Sequence, residues 1–278
     1  MRSTAVLFIL LLFVSCGTDR KTATGTENGS GSSEISWELI WEDDFTGVSA
    51  PDPEKWSFAG RNRANWGMYC RESAETVFVE NDQLVIRSGL NTAESDSVKY
   101  QTGCINTKDK FSFRYGKVEV HAKLSAGKGS WPAIWMMPQE AVYGGWPYSG
   151  EIDIMEHLNF DTFVYQTLHT EHTYINEQTS TPPNHATAEI DPSSFNTYGI
   201  EWFPERIDFL VNGRRSFTYP KLDGADQVQW PFDQSFYLIL NQALGGDWVG
   251  EIHDEDLPVQ MVVDWVKVYQ QAEGPVRN

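Results

Sequence analysis

Basic residues are scarce in this chain of 278 residues. Its 21 Lys and Arg stand against 39 Asp and Glu, a formal net charge of −18 at pH 7. A surface so acidic repels nucleic acid, anionic lipid headgroups and sulfated polymers. It tolerates neutral partners, and neutral sugars are the obvious class. Cysteine is sparse as well, with three in all, and no Cys/His cluster has the spacing of a zinc site. No long segment carries a helical period and no internal repeat is present, so the reading rests on strands. The one long apolar run, "AVLFILLLFV" after Arg2, is too short to span a bilayer as a mature helix.

That run reads as an export signal. It ends in "FVSC", a small residue before Cys16, which resembles a bacterial lipoprotein signal cleaved ahead of a Cys that becomes lipidated. Phe13 stands where Leu is usual, and an ordinary signal peptide with an incidental Cys is the alternative. Residues 1–15 are thus the signal. Residues 16–35, rich in Thr, Gly, Ser and Asn, form a flexible tether. Residues 36–272 are long enough for one large β domain with a substantial core. The expected location is the cell surface or outer membrane, held through the lipid alone, with a periplasmic or secreted protein as the fallback. Cys70 and Cys104 fit either a disulfide of an exported protein or two buried thiols, and sequence leaves both open.

Aromatic residues are plentiful: eleven Trp, eleven Tyr and fifteen Phe. Most fit a core, but several lie near acids, and sugar rings present C–H faces that stack on aromatics. Short runs of β-branched and aromatic residues alternate with turn signals. "ETVFVENDQLVIRS" reads as strand, turn at Asn81-Asp82, strand. "YGKVEVHAKL" alternates over Val118, Val120 and Ala122, and "RIDFLVNGRRSFTY" is a hairpin with Asn212-Gly213 at its tip. "SFYLILNQAL" and "MVVDWVKVYQ" are further strands. The expected fold class is all-β, a two-sheet antiparallel sandwich or jelly roll.

The stretch "SGEIDIMEH" sets Glu151, Asp153 and Glu156 among apolar neighbours. In a plain strand, Glu156 would share a face with Ile152 and Ile154, burying a charge at a cost of several kcal/mol. One β-bulge near Met155 removes the conflict and puts all three carboxylates on one face. Glu151 and Glu156 are then about four strand steps apart, roughly 13 Å between Cα atoms. Their side chains can lean together to about 5 Å, the separation of a retaining glycosidase. Asp153 lies between them, and crowding raises the pKa values of such a set. A calcium site or a solvated acidic face are the alternatives. The first more readily draws on loop carbonyls and Asn, and the second does not need isoleucines alternating with its acids.

"GEIDIMEH" resembles the signature of glycoside hydrolase family 16 in its bulged form, Glu-x-Asp-x-x-Glu, as found in laminarinase-like branches. "WELIWEDDFTG", "DKFSFRYGKVEVHAKLSAGKGSWPAIWMMP", "LILNQALGGDWVG" and "VDWVKVYQ" resemble other blocks of the family. The resemblance implies a concanavalin A-like jelly roll with a concave cleft. It makes Glu151 the nucleophile, Asp153 its assistant and Glu156 the general acid/base. It offers Trp131, Trp135 and Trp146 as a sugar-stacking floor and His169 as a cleft residue. Arg61, Asn62 and Trp66 occupy the place of a loop lining the cleft, although "NRANW" departs from that loop's usual Asn-Asn-Glu-like run. Glu42 and Asp264 match places where some members hold a structural calcium, and no other cofactor is implied. The expected protein is a monomeric endo-acting hydrolase of neutral β-1,3- or mixed-linkage glucan. An endo-β-galactosidase on poly-N-acetyllactosamine or mucin O-glycans is the alternative, and a non-catalytic glycan-binding lipoprotein is the alternative of another class.

Overall fold

The computed structural model describes residues 35–272. The export signal, Cys16 and residues 16–34 of the tether lie outside the described residues. In chain order the strands are β1 (Trp37–Asp43), β2 (Ser57–Phe58), β3 (Val77–Glu80), β4 (Gln83–Leu90), β5 (Tyr100–Thr102), β6 (Cys104–Asn106), β7 (Gly116–Leu124) and β8 (Ser130–Pro138). They continue as β9 (Glu151–Glu156), β10 (Phe163–His169), β11 (His185–Glu189), β12 (Asn196–Phe203), β13 (Arg206–Val211), β14 (Arg214–Pro220), β15 (Phe236–Leu244) and β16 (Val259–Gln271). Among the described residues the only helical pieces are single short turns.

Two sheets stack. One runs β14-β13-β12-β7-β16-β4-β3, with β1 joined to β16 and β5 to β4. The other runs β11-β10-β9-β8-β15-β6-β2. Every ladder between these strands is antiparallel, as alternating patterns with tight turns require. Asn81 and Asp82, and Asn212 and Gly213, all take positive φ. This is the turn geometry whose twist matches paired strands.

The core lies between the sheets. Val118, Val120 and Ala122 of β7 and Val263, Val266 and Val268 of β16 meet Ile134, Ile152, Ile154, Leu238 and Leu240 of the second sheet, all fully buried. Each large aliphatic side chain so buried contributes on the order of 1.5–3 kcal/mol. The outward face of the second sheet is left free for the cleft. Cys70 and Cys104 form a disulfide, with Cα atoms 5.8 Å apart. It ties the loop ahead of β3 to β6 and resolves the alternative that sequence left open.

Candidate active site

β9 lies between β8 and β10, so its register is fixed from both sides. On β8, Ile134 pairs with Met155 and Trp135 with Asp153, which leaves Ile154 unmatched. On β10, Tyr165 pairs with Glu156 and Thr167 with Asp153, so one residue there faces both Ile154 and Met155. This is a β-bulge. Ile152, Ile154 and Met155 all join the core, and Glu151, Asp153 and Glu156 turn together to the cleft. Gly150 sets the entry to β9. Its φ is +83°, and a Cβ there would lie 2.9 Å from Pro231 Cγ and 3.0 Å from the Phe232 ring. No other residue fits that approach without displacing the core.

A cavity of about 490 Å³ opens over the trio, lined also by Trp66, Trp131, Trp135, Tyr165, His169 and Trp248. A second, of about 530 Å³, is lined by Asn62, Trp66, Trp135, Trp146, Tyr237 and Glu151. The two share Trp66, Trp135 and Glu151, so the cleft continues to either side of Glu151. Neither lining includes a Lys or an Arg.

Each carboxylate has its own partner. The Trp131 indole donates to Glu156 Oε1 at 3.0 Å. The Trp146 indole donates to Glu151 Oε2. His169 Nε2 lies 3.2 Å from Asp153 Oδ2, although Asp153 Oδ2 has no aligned hydrogen-bond donor. Trp135 donates to Asn241 Oδ1 at 2.7 Å, and Trp66 packs edge-on against Trp135, ring centroids 5.0 Å apart.

Burial raises all three carboxyl groups, because each is enclosed where its charged form is poorly solvated. Glu151 is pushed up to about 8, first by burial and then by the Asp153 charge, against the opposing pull of His169 and the Trp146 N–H. Asp153 is raised to about 7 by burial, with a hydrogen bond to Glu151 opposing. Glu156 is raised well above the usual carboxylate range by burial and then by the Asp153 charge, with the Trp131 N–H opposing. The three groups therefore release their protons as a linked set, above the ordinary carboxylate range.

The structure thus brings Glu151, Asp153, Glu156, Trp131, Trp135, Trp146, His169, Asn62 and Trp66 to one cleft. It does not bring Arg61. That guanidinium is held by Asp96 at 2.6 Å, on neither cavity lining. Glu42 and Asp264 are engaged separately. Glu42 is exposed on β1, opposite Lys267. The Asp264 carboxylate meets His121 Nδ1 at 3.1 Å and accepts from Gln83 Nε2 at 3.2 Å. They belong to no cluster of three acidic, His or Cys side chains among the described residues, where the one such cluster is Glu151, Asp153 and His169. Sequence reasoning missed Tyr165, Trp248 and Asn241. Tyr165 was within reach, since it alternates with Thr167 and His169 along β10. Trp248 sits in "GGDW", an aromatic in a glycine-rich loop and so a weaker signal.

Residues 67–267 match the pattern of "Glycosyl hydrolases family 16". The chain belongs to that family. It is 41% identical over 251 residues to the keratan-sulfate endo-1,4-beta-galactosidase of Sphingobacterium multivorum, a match that covers 90% of this chain and 59% of that protein. It is 36% identical over 291 residues to the beta-glucanase of Rhodothermus marinus, covering 98% of this chain and 96% of that one. The solved laminarinase from Rhodothermus marinus superposes with a TM-score of 0.79 at 36% identity, over 86% of this chain and 99% of the other. The two-sheet architecture of this member is therefore the family jelly roll, and its cleft lies on the sheet that holds β9.

Proposed function

We propose that the protein is an endo-acting, retaining hydrolase of neutral β-linked glycans. The observation that carries this reading is the bulge in β9. It places Glu151 and Glu156 on one face with Asp153 between them, at the floor of an aromatic cleft. Glu156, kept protonated by its burial, gives its proton to the glycosidic oxygen. Glu151, in its carboxylate form, attacks the anomeric carbon as that C–O bond breaks, forming a glycosyl ester. Glu156, now a carboxylate, takes a proton from water, which attacks the same carbon and releases Glu151. Asp153 steadies Glu151 between these steps. Space on both sides of Glu151 supports cleavage within a chain.

The reading of uncharged sugars is supported by a lining of rings, amides and hydroxyls without a Lys or an Arg to meet a sulfate. β-1,3- or mixed-linkage glucan is the first reading, supported by the near full-length match to a beta-glucanase. A second reading, unsulfated poly-N-acetyllactosamine or mucin O-glycans, is supported by the 41% identity to a keratan-sulfate endo-1,4-beta-galactosidase. Products released from laminarin, barley-type glucan, agarose and mucin O-glycans separate the two. Release of no reducing ends from any of them would leave a glycan-binding protein instead. Export and lipidation at Cys16 belong to the same reading. Wild-type protein should partition with membranes and begin at Cys16, and Cys16→Ser should release it or block its maturation. A wholly soluble wild-type protein with its N-terminus elsewhere removes the anchor.

A further inference from the structure

The connection from β10 to β11 starts with one π-helical turn, Glu171–Ile175. It is firmly built. The Thr170 hydroxyl accepts from Thr173 N at 3.2 Å, and the Thr173 hydroxyl accepts from Thr170 N at 2.9 Å. His172 N donates to Val228 O at 2.9 Å, and Asn184 Nδ2 donates to Leu168 O at 3.0 Å. Such a turn is uncommon and often sits at a functional site. Tyr174 stands out from it with 52% of its surface exposed.

The Tyr174 ring is placed against Trp146, centroids 4.5 Å apart at 63°, and His169 lies 6.1 Å from each. Trp146 needs that support. Its loop carries Gly144 at φ +115° and Gly145, around whose Cβ position nothing lies within 4 Å, and Trp146 itself is 45% exposed. Yet the Trp146 indole is the group that reaches Glu151 Oε2.

We propose that the turn Glu171–Ile175 braces the nucleophile: Tyr174 positions Trp146 so that the indole N–H stays on Glu151 Oε2. The N–H steadies the carboxylate before attack and again as it leaves the glycosyl ester. The inference rests on the reading of Glu151 as nucleophile. The groups facing Glu151 are Asp153 and Glu156 from β9, His169 from β10, Tyr237 from β15 and Trp146 from its loop. Asp153 opposes its ionisation, and His169 and the indole favour it. Losing the indole moves the balance toward the protonated, unreactive form.

The test compares Tyr174→Ala, Tyr174→Phe and Ile175→Ala with the wild type and with Glu151→Ala, reading kcat and KM across pH. Tyr174→Ala should lower kcat about tenfold or more with a smaller change in KM, because a misplaced support costs most in the transition state. Its acid limb should move to higher pH. Tyr174→Phe keeps the ring and should stay within about twofold of wild type. Ile175, 48% exposed in the same turn, should tolerate Ala. In NMR spectra the Trp146 indole N–H resonance should shift in Tyr174→Ala and hold in Tyr174→Phe. An unmoved resonance and acid limb in Tyr174→Ala overturn the brace. So does an Ile175→Ala variant that behaves like Tyr174→Ala, which would mean general disorder of the turn. Retained activity in Glu151→Ala overturns the nucleophile reading itself, and the brace with it.

Discussion

β7 and β9 are interior strands of opposite sheets, and they treat acidic residues differently. β7 alternates without interruption: Val118, Val120 and Ala122 are fully buried, while Lys117 and Glu119 face outward and pair at 2.9 Å. β9 breaks alternation at Ile154 and Met155. The break turns Met155 into the core beside Ile152 and Ile154. Its effect is to gather three carboxylates in one cleft without a single Lys or Arg. A strand built for stability pairs opposite charges on its outward face. The strand built for chemistry buries like charges together and carries the cost in raised pKa values.

The sharpest way to break the comparison is to remove one member of the β9 set. Glu151→Ala and Glu156→Ala should each lower kcat by about three orders of magnitude or more, since each removes a group that forms or breaks bonds. Their rescue by azide should differ. Glu156→Ala still forms the glycosyl ester on an activated substrate, and azide then gives the β-glycosyl azide through two inversions. Glu151→Ala has no nucleophile, so azide enters once from the other face and gives the α-glycosyl azide. Identical anomers would show the roles to be wrongly assigned.

Deleting Met155 asks whether the bulge itself matters. Without it β9 would alternate like β7, with Glu151, Asp153 and Glu156 still on one face and Ile152 and Ile154 on the other. A folded variant with measurable activity is expected, less stable for the loss of the buried Met155 side chain. A folded deletion variant with no activity at all refutes the geometric argument.

Much of this was legible because it is local. A misplaced acid three residues after Asp153 demands a bulge whatever the rest of the chain does. The Asn212-Gly213 hairpin likewise follows from neighbouring residues, and both φ values are positive as expected. The cleft walls were less legible because their partners are distant in sequence. Arg61 looked free to meet substrate until Asp96 took it. Trp248 reaches the cleft on a loop that Asp247 ties to Asn65 at 3.2 Å, a contact across the length of the chain. The Cys70–Cys104 bond is of the same kind.

That disulfide separates wall from floor. It closes a loop with a sequence separation of 34 residues, and loop entropy assigns such a link about 3–4 kcal/mol. Cys70→Ser should lower Tm by several degrees. Its kinetic effect should fall on KM through Trp66 and Asn62, which lie in the segment just ahead of Cys70, and leave kcat on the β9 floor nearly intact. A kcat loss as large as the KM rise would mean that wall and floor are not separable.

A smaller effect distinguishes the strands by pH. Glu151 binds its proton more tightly in the folded chain than in the unfolded one, because its value rises from 4.5 to about 8. Its favourable share of stability is therefore complete below the ordinary carboxylate value and is lost as pH climbs toward 8. Glu151→Gln removes that titration. The variant's unfolding free energy should fall less than the wild type's between pH 5 and 8, a difference on the order of a few kcal/mol at the upper end. Parallel curves for wild type and Glu151→Gln would mean that the cleft solvates Glu151 as well as water does.

The smallest expected effect is that of salt. The chain is strongly acidic overall, but a neutral glycan feels no long-range field from it. The charges of the β9 trio lie inside a cleft where mobile ions screen little, so their work on the bound sugar also changes little with ionic strength. Between low and physiological salt, kcat/KM on the true substrate should stay within about twofold. A steep fall would require an attraction that salt can screen. On a chain this acidic, such an attraction would have to come from local cations, and neither cavity lining contains a Lys or an Arg. That result would move the binding surface away from the β9 cleft and overturn the ordering of substrates.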